Sequence, residues 1–220
     1  CGEIEVLPFQ GQQIWRAKFY NRQLTMRSIF DEPNPTTDYL STYGGFLLHC
    51  GVIGMGGPSP QDNHPVHGEL PNAPYQQAEL ITGSDSDGPF MTITGQYQYS
   101  VAFTHNYIAR PSITLRENNG RIHVEMSITN LKSSPMEIMY LAHINFLPVE
   151  NARIIDSALE GSDYLHVTHV FKDLYQSNEG YRQMIDGFIQ DPEKHRVFEP
   201  GGVIDPEVVL AINPLPGKDG

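Results

Sequence analysis

The sequence predicts an all-β protein, a large antiparallel β-sandwich with one short helix. Three observations carry that expectation. Several runs alternate apolar and polar residues with a period of two. Turn-forming residues separate those runs. Gly and Pro together make 37 (20 + 17) of the 220 residues, which suits many short strands. Taken in order, the expected strands cover 12–19, 22–30, 45–50, 77–83, 89–95, 97–104, 112–116, 120–131, 136–147, 153–159 and 207–212. The clearest is 120–131, where Ile122, Val124, Met126 and Ile128 alternate with His123, Glu125, Ser127 and Thr129. Asn119-Gly120 in front of it marks a hairpin turn, because both residue types tolerate positive φ. Ser133-Ser134-Pro135 turns the chain into the following strand, and Gly83 to Gly88 forms another turn. The exception is 177–190, where Tyr181, Met184, Ile185 and Phe188 fall at helical spacing. Ser177 or Asn178 is placed to cap that helix, and Asp191-Pro192 ends it.

Composition narrows the function. Fourteen Lys and Arg against 26 Asp and Glu give a formal charge of −12. Such a chain repels nucleic acid and anionic membrane surfaces. No apolar run reaches the ~18 residues of a membrane-spanning helix. The expectation is a protein with neither nucleic-acid nor membrane partners, located in the cytoplasm. Two cysteines, Cys1 and Cys50, make neither a disulfide framework nor a cysteine zinc site. Cys50 lies in the apolar run Phe46-Leu47-Leu48-His49-Cys50 and is expected to pack as a small hydrophobe. The chain opens on Cys1 with neither Met nor a signal-peptide pattern. Of a processed lipoprotein and a fragment of a longer chain, the fragment is the preferred reading. Residues 1–220 are then a single domain that lacks its C-terminal strands.

Two segments carry candidate chemistry. Residues 51–75 are crowded with Gly and Pro and form a long loop with no strand of its own; such loops are often functional. Within it, His64-Pro65-Val66-His67-Gly68-Glu69 gathers two groups that titrate near neutrality and a carboxylate. The alternatives are an acid/base site, a metal site and an ordinary polar surface loop. Pro65 excludes the two histidines from a helix interior, and their spacing matches no established metal pattern. The second segment is the strand Leu141-Ala142-His143-Ile144-Asn145-Phe146. Met139, Leu141, His143 and Asn145 share one face there, opposite Tyr140, Ala142, Ile144 and Phe146. Both faces are largely apolar, so His143 and Asn145 are read either as satisfied buried polar groups or as the lining of a polar cavity. His105 and Arg110 reach either a cleft or solvent, and His166 and His169 are placed at a strand end. Neither a phosphate-binding loop nor a nucleophile elbow is present.

The order of these motifs resembles the aldose 1-epimerase (galactose mutarotase) superfamily, in particular an uncharacterised aldose-epimerase-like family. The residues that carry the resemblance are Gly11-Gln12-Gln13-Ile14-Trp15, Tyr43-Gly44-Gly45 through Cys50-Gly51, His67-Gly68 in a Pro-rich loop, and His143-Ile144-Asn145-Phe146. It covers about residues 5–150. The resemblance implies a supersandwich of antiparallel strands and the interconversion of sugar anomers by ring opening, with a small carbohydrate as ligand and no metal or organic cofactor. It implies His143 as the general acid and His67 as a second catalytic group near the ring oxygen. His64, Glu69, Arg110 and Asn145 are the implied sugar partners. The superfamily's general base is a glutamate on a late strand. Glu199 and Glu207 match it by position only, and a base beyond Gly220 is the other option. A non-catalytic carbohydrate-binding protein on the same fold is the alternative function. A metal-dependent sugar isomerase using His64, His67 and Glu69 is a third.

Overall fold

The computed structural model describes residues 2–156, 159–213 and 215. Cys1 lies outside them. The chain divides into two compact units, Cys1–Leu147 and Pro148–Gly220.

The first unit is a β-sandwich. One sheet holds β1 (Gly2–Val6), β2 (Ile14–Phe19), β3 (Arg22–Gln23), β4 (Leu47–Val52) and β9 (Met139–Ile144), in the order β1-β2-β4-β9 with β3 beside β2. The other is a meander of β5 (Gln77–Asp85), β6 (Gly88–Val101), β7 (His105–Arg116) and β8 (Ile122–Asn130). Every pairing is antiparallel. The alternation read from residues 122–130 is the alternation of β8 in space, and the Asn119-Gly120 region closes the β7–β8 hairpin. There the positive φ of +56° falls on Asn118, and Asn119 Oδ1 accepts from the Arg121 amide at 2.9 Å.

Two buried clusters join the sheets. Ile14, Ala17 and Leu47 of the first sheet, with Phe46 just before β4, meet Ile113 of β7, flanked by Ile93, Ile122 and Val124. Nearer the other end, Val52, Leu70, Ala73 and Tyr75 meet Tyr97, Tyr107 and Ala109. A third cluster lies on the first sheet, where Leu48 and Cys50 meet Tyr39, with Tyr43, Met55 and Val66 packed against it. Leu48 and Cys50 alternate with Leu47, so this third cluster covers the sheet's other face.

Some strands differ from expectation. Residues 89–104 were expected as two strands, but β6 runs unbroken through Gly95, where the Gln12 side chain and the Gln77 carbonyl come so close that a Cβ would clash. The expected strand 22–30 shrinks to the two residues of β3. Just beyond β3, pairing survives as an isolated bridge between Thr25 and Phe146.

The second unit contains β10 (Leu165–His169) paired with β11 (Val209–Ile212), and the helices α1 (Lys172–Ser177) and α2 (Glu179–Gln190). Helix α2 is the expected one. Asn178 caps it, its side chain accepting from the Tyr181 amide at 3.0 Å, and Tyr181 and Ile185 are its buried residues. Helix α1 is additional; at six residues it is too short to show a period. The strand expected at 153–159 is reduced to a bridge between Arg153 and Val197, with 157 and 158 outside the described residues.

Candidate functional site

The site is built on the face of the first sheet that carries the third cluster. β9 pairs with β4 in the register Leu48↔His143 and Cys50↔Leu141, so His143 stands on that face beside Leu48. The long loop is laced back over the end of β4. The Gly51 amide donates to His67 O at 2.8 Å, and the Leu70 amide donates to Gly51 O at 2.9 Å. His67 and Gly68 both take left-handed backbone, with φ of +59° and +79°. At Gly68 only glycine fits, because a Cβ would lie 2.4 Å from Gly51 O.

This lacing sets His67 against His143. Their ring centroids are 5.5 Å apart, with planes inclined at 78°. Tyr39 packs on His67 at 4.9 Å and on His143 at 6.5 Å. Tyr43 meets His143 edge to face at 5.9 Å. Burial, the larger cause, and the neighbouring His67 push the His143 pKa below its ordinary value, while the Asn145 side chain acts in the opposite direction. His143 Nδ1 is buried without a hydrogen-bond partner among the described residues.

The other expected site residues have other surroundings. His64 Nδ1 donates to the Pro65 carbonyl at 2.8 Å, and its ring rests on Gly54, leaving no room there for a Cβ. Glu69 Oε1 accepts from the Val52 amide at 2.9 Å and from the Tyr107 hydroxyl, and Oε2 accepts from the Ile53 amide at 3.3 Å. That carboxylate is an anchor for the loop that carries His67. Asn145 is buried, and both ends of its amide are engaged by Tyr43 and Gly45. Arg110 is exposed on β7, between Ala109 and Pro111, which point inward, so it projects from the far side of the other sheet. There it donates to Gln96 Oε1 at 2.7 Å. Glu199 and Glu207 belong to the second unit. Among the described residues, no group of three or more His, Cys, Asp or Glu side chains gathers as a metal ion would require.

Tyr39 and Tyr43 are the residues that sequence reasoning missed at the site. They sit in a Pro- and Asp-rich segment around a short 3-10 turn, Leu40–Thr42, where no periodicity marks a face. The motif Gly11-Gln12-Gln13 has a structural use. Gln13 Nε2 donates to Pro71 O at 2.9 Å and to Asn72 Oδ1 at 2.7 Å, and the Gly11 amide donates to Ala73 O at 2.8 Å. These bonds tie down the far end of the long loop.

Residues 3–153 match the family model of a domain of unknown function, DUF4432. The chain belongs to the DUF4432 family. Among solved structures it is similar to a putative aldose 1-epimerase from Klebsiella pneumoniae subsp. pneumoniae, with a TM-score of 0.76 and 17% sequence identity. The alignment covers 98% of this chain and 54% of that one, so this member of the DUF4432 family spans about half the length of the structure it resembles. At that identity the likeness establishes the fold, which is that of an aldose epimerase. No curated protein matches. Among the described residues, no helix of this DUF4432 chain is long and apolar enough to cross a membrane.

Proposed function

We propose that this chain carries a site that interconverts the anomers of a free sugar or sugar derivative, in the manner of an aldose 1-epimerase. The observation that carries the reading is the His67–His143 pair, brought from a loop and a distant strand to 5.5 Å beneath two tyrosine rings. In the proposed step a base removes the anomeric hydroxyl proton and the bond from C1 to the ring oxygen breaks. Protonated His143 gives its proton to that oxygen. The open-chain aldehyde turns, and the reverse sequence closes the ring on the other face. His67 supports the ring oxygen beside His143. The base in this step is a carboxylate. A lowered pKa makes the His143 proton easier to release but leaves less of the acid form at neutral pH.

Anomer-exchange NMR on a panel of free sugars tests the reading. A sugar whose anomers exchange faster with protein than without it is the expected result. His143→Ala should slow that exchange by about 10²–10⁴ while the protein stays folded. His67→Ala should slow it too, mainly through substrate placement. His123→Ala, on an exposed position of β8, should leave it unchanged. Exchange that survives His143→Ala intact would remove His143 from the acid role. If a sugar binds and is not exchanged, the protein is a carbohydrate binder.

A further inference from the structure

Asn145 stands two residues after His143 and is only 8% exposed. Its side chain is bonded inside the protein at both ends. Nδ2 donates to Gly45 O at 2.9 Å, and Oδ1 accepts from the Tyr43 hydroxyl at 2.9 Å. Its backbone is held as well: its amide donates to Phe46 O at 2.8 Å, and its carbonyl accepts from the Met26 amide at 3.0 Å. A residue held at four points, two in its side chain and two in its backbone, is a rigid post, and its side chain also bears on His143 itself. It also holds the tip of Tyr43. At the other end of that residue, Ser28 Oγ donates to Tyr43 O at 2.8 Å. Tyr43 is therefore clamped at backbone and hydroxyl, and its ring meets His143 edge-on with an interplanar angle of 90°.

We infer that Tyr43, clamped by Asn145, is a positioning residue that fixes the orientation of the His143 ring. The inference rests on the proposed acid role of His143. Two features of the geometry support it. First, the clamp is anchored in the same stretch of chain that carries His143, so the distance between the two rings is set over two residues. Second, a phenylalanine would supply the same ring surface, and the hydroxyl is used on Asn145. Tyr39, 5.2 Å from Tyr43, closes the other side. Together the two tyrosines cover part of the His143 ring, which is half-buried.

The test uses two readouts on the same protein, the NMR titration of the His143 ring and anomer exchange. In Tyr43→Phe the ring is released from Asn145 and more of the His143 ring meets water. The His143 midpoint should rise toward 6.5, and exchange should fall roughly threefold to tenfold, less than on removing the acid itself. Asn145→Ser should slow exchange by a similar factor, with the midpoint read in Tyr43→Phe alone because Asn145 itself raises the His143 pKa, and the double variant should be no worse than the slower single one, because both changes break one device. An unchanged His143 midpoint in Tyr43→Phe would overturn the inference, as would losses that multiply in the double variant. If Asn145→Ser does not fold, Tyr43→Phe alone decides through the midpoint. A parent protein that exchanges no sugar would sink the functional reading, whereas the titration would still decide whether Tyr43 positions His143.

Discussion

His49 and His143 lie on adjacent strands and face opposite ways, and their surroundings make them chemically different. His49 is fully buried between the sheets, its Nδ1 bonded to the Tyr140 hydroxyl at 2.7 Å, and burial lowers its pKa from 6.5 to about 4. The unfolded chain thus binds a proton below pH 6.5 that the folded chain refuses until about pH 4. Stability from this group is complete above pH 6.5 and is lost as the pH falls toward 4. At ~1.4 kcal/mol per pKa unit, the loss is about 3 kcal/mol. Urea unfolding across that range should show the decline, and His49→Gln should flatten it; an equal slope in the variant would refute the assignment. For His143 the sign bears on rate. Its midpoint lies below the ordinary 6.5, so the acid form is lost as pH rises through that midpoint, and exchange should fall over the same interval. The sequence marked both rings as members of apolar strands. Which face was buried between sheets and which lay under the loop was not legible, because both faces of β4 and β9 read as apolar.

Among the elements, the meander β5–β8 was the most legible, since one face of each strand is solvated and the alternation shows. The long loop was legible as a loop from its Gly and Pro content, but the way it is tied down was not. Glu69 is the example: two residues after His67 it reads as a site carboxylate, yet it satisfies the amides of Val52 and Ile53 and the hydroxyl of Tyr107. Those partners come from β4, from the residue after it and from the opposite sheet, and no local pattern announces them. Burial, with Glu69 a further cause, drives the Tyr107 pKa far upward, so its hydroxyl remains a donor at any working pH. Glu69→Ala leaves two amides and a buried hydroxyl without their acceptor. It should cost about 2–4 kcal/mol in urea unfolding, since hydrogen bonds to a charged group exceed neutral ones. It should also speed hydrogen exchange at the Gly51 and Leu70 amides, which hold the His67 segment to β4. A variant as stable as the parent, with those amides still protected, would show that the loop is anchored elsewhere.

At the scale of the molecule, the sandwich of the first unit is open along one side. β8 ends one sheet and β9 ends the other, and neither has a further strand beside it among the described residues. Between these edges lies a cleft of about 820 Å³, whose lining includes Ile122, Val124 and Met126 from β8 and Tyr140 and Ile144 from β9. Ile144 is 44% exposed and Phe146 60%. Contiguous apolar surface of this kind is unusual on a folded protein, and it lies where free strand edges also lack partners. A charged side chain in that lining should close it to apolar probes without disturbing the face that carries His143, because Ile144 points the opposite way from its neighbour. The fluorescent dye anilinonaphthalene sulfonate should therefore bind the parent chain, and Ile144→Lys should weaken that binding severalfold. Ile29→Lys, at a 92% exposed position outside the cleft, supplies the control and should leave it unchanged. Equal dye binding in the parent and Ile144→Lys would mean that the cleft is closed in solution, with the β8 and β9 side chains packed on one another.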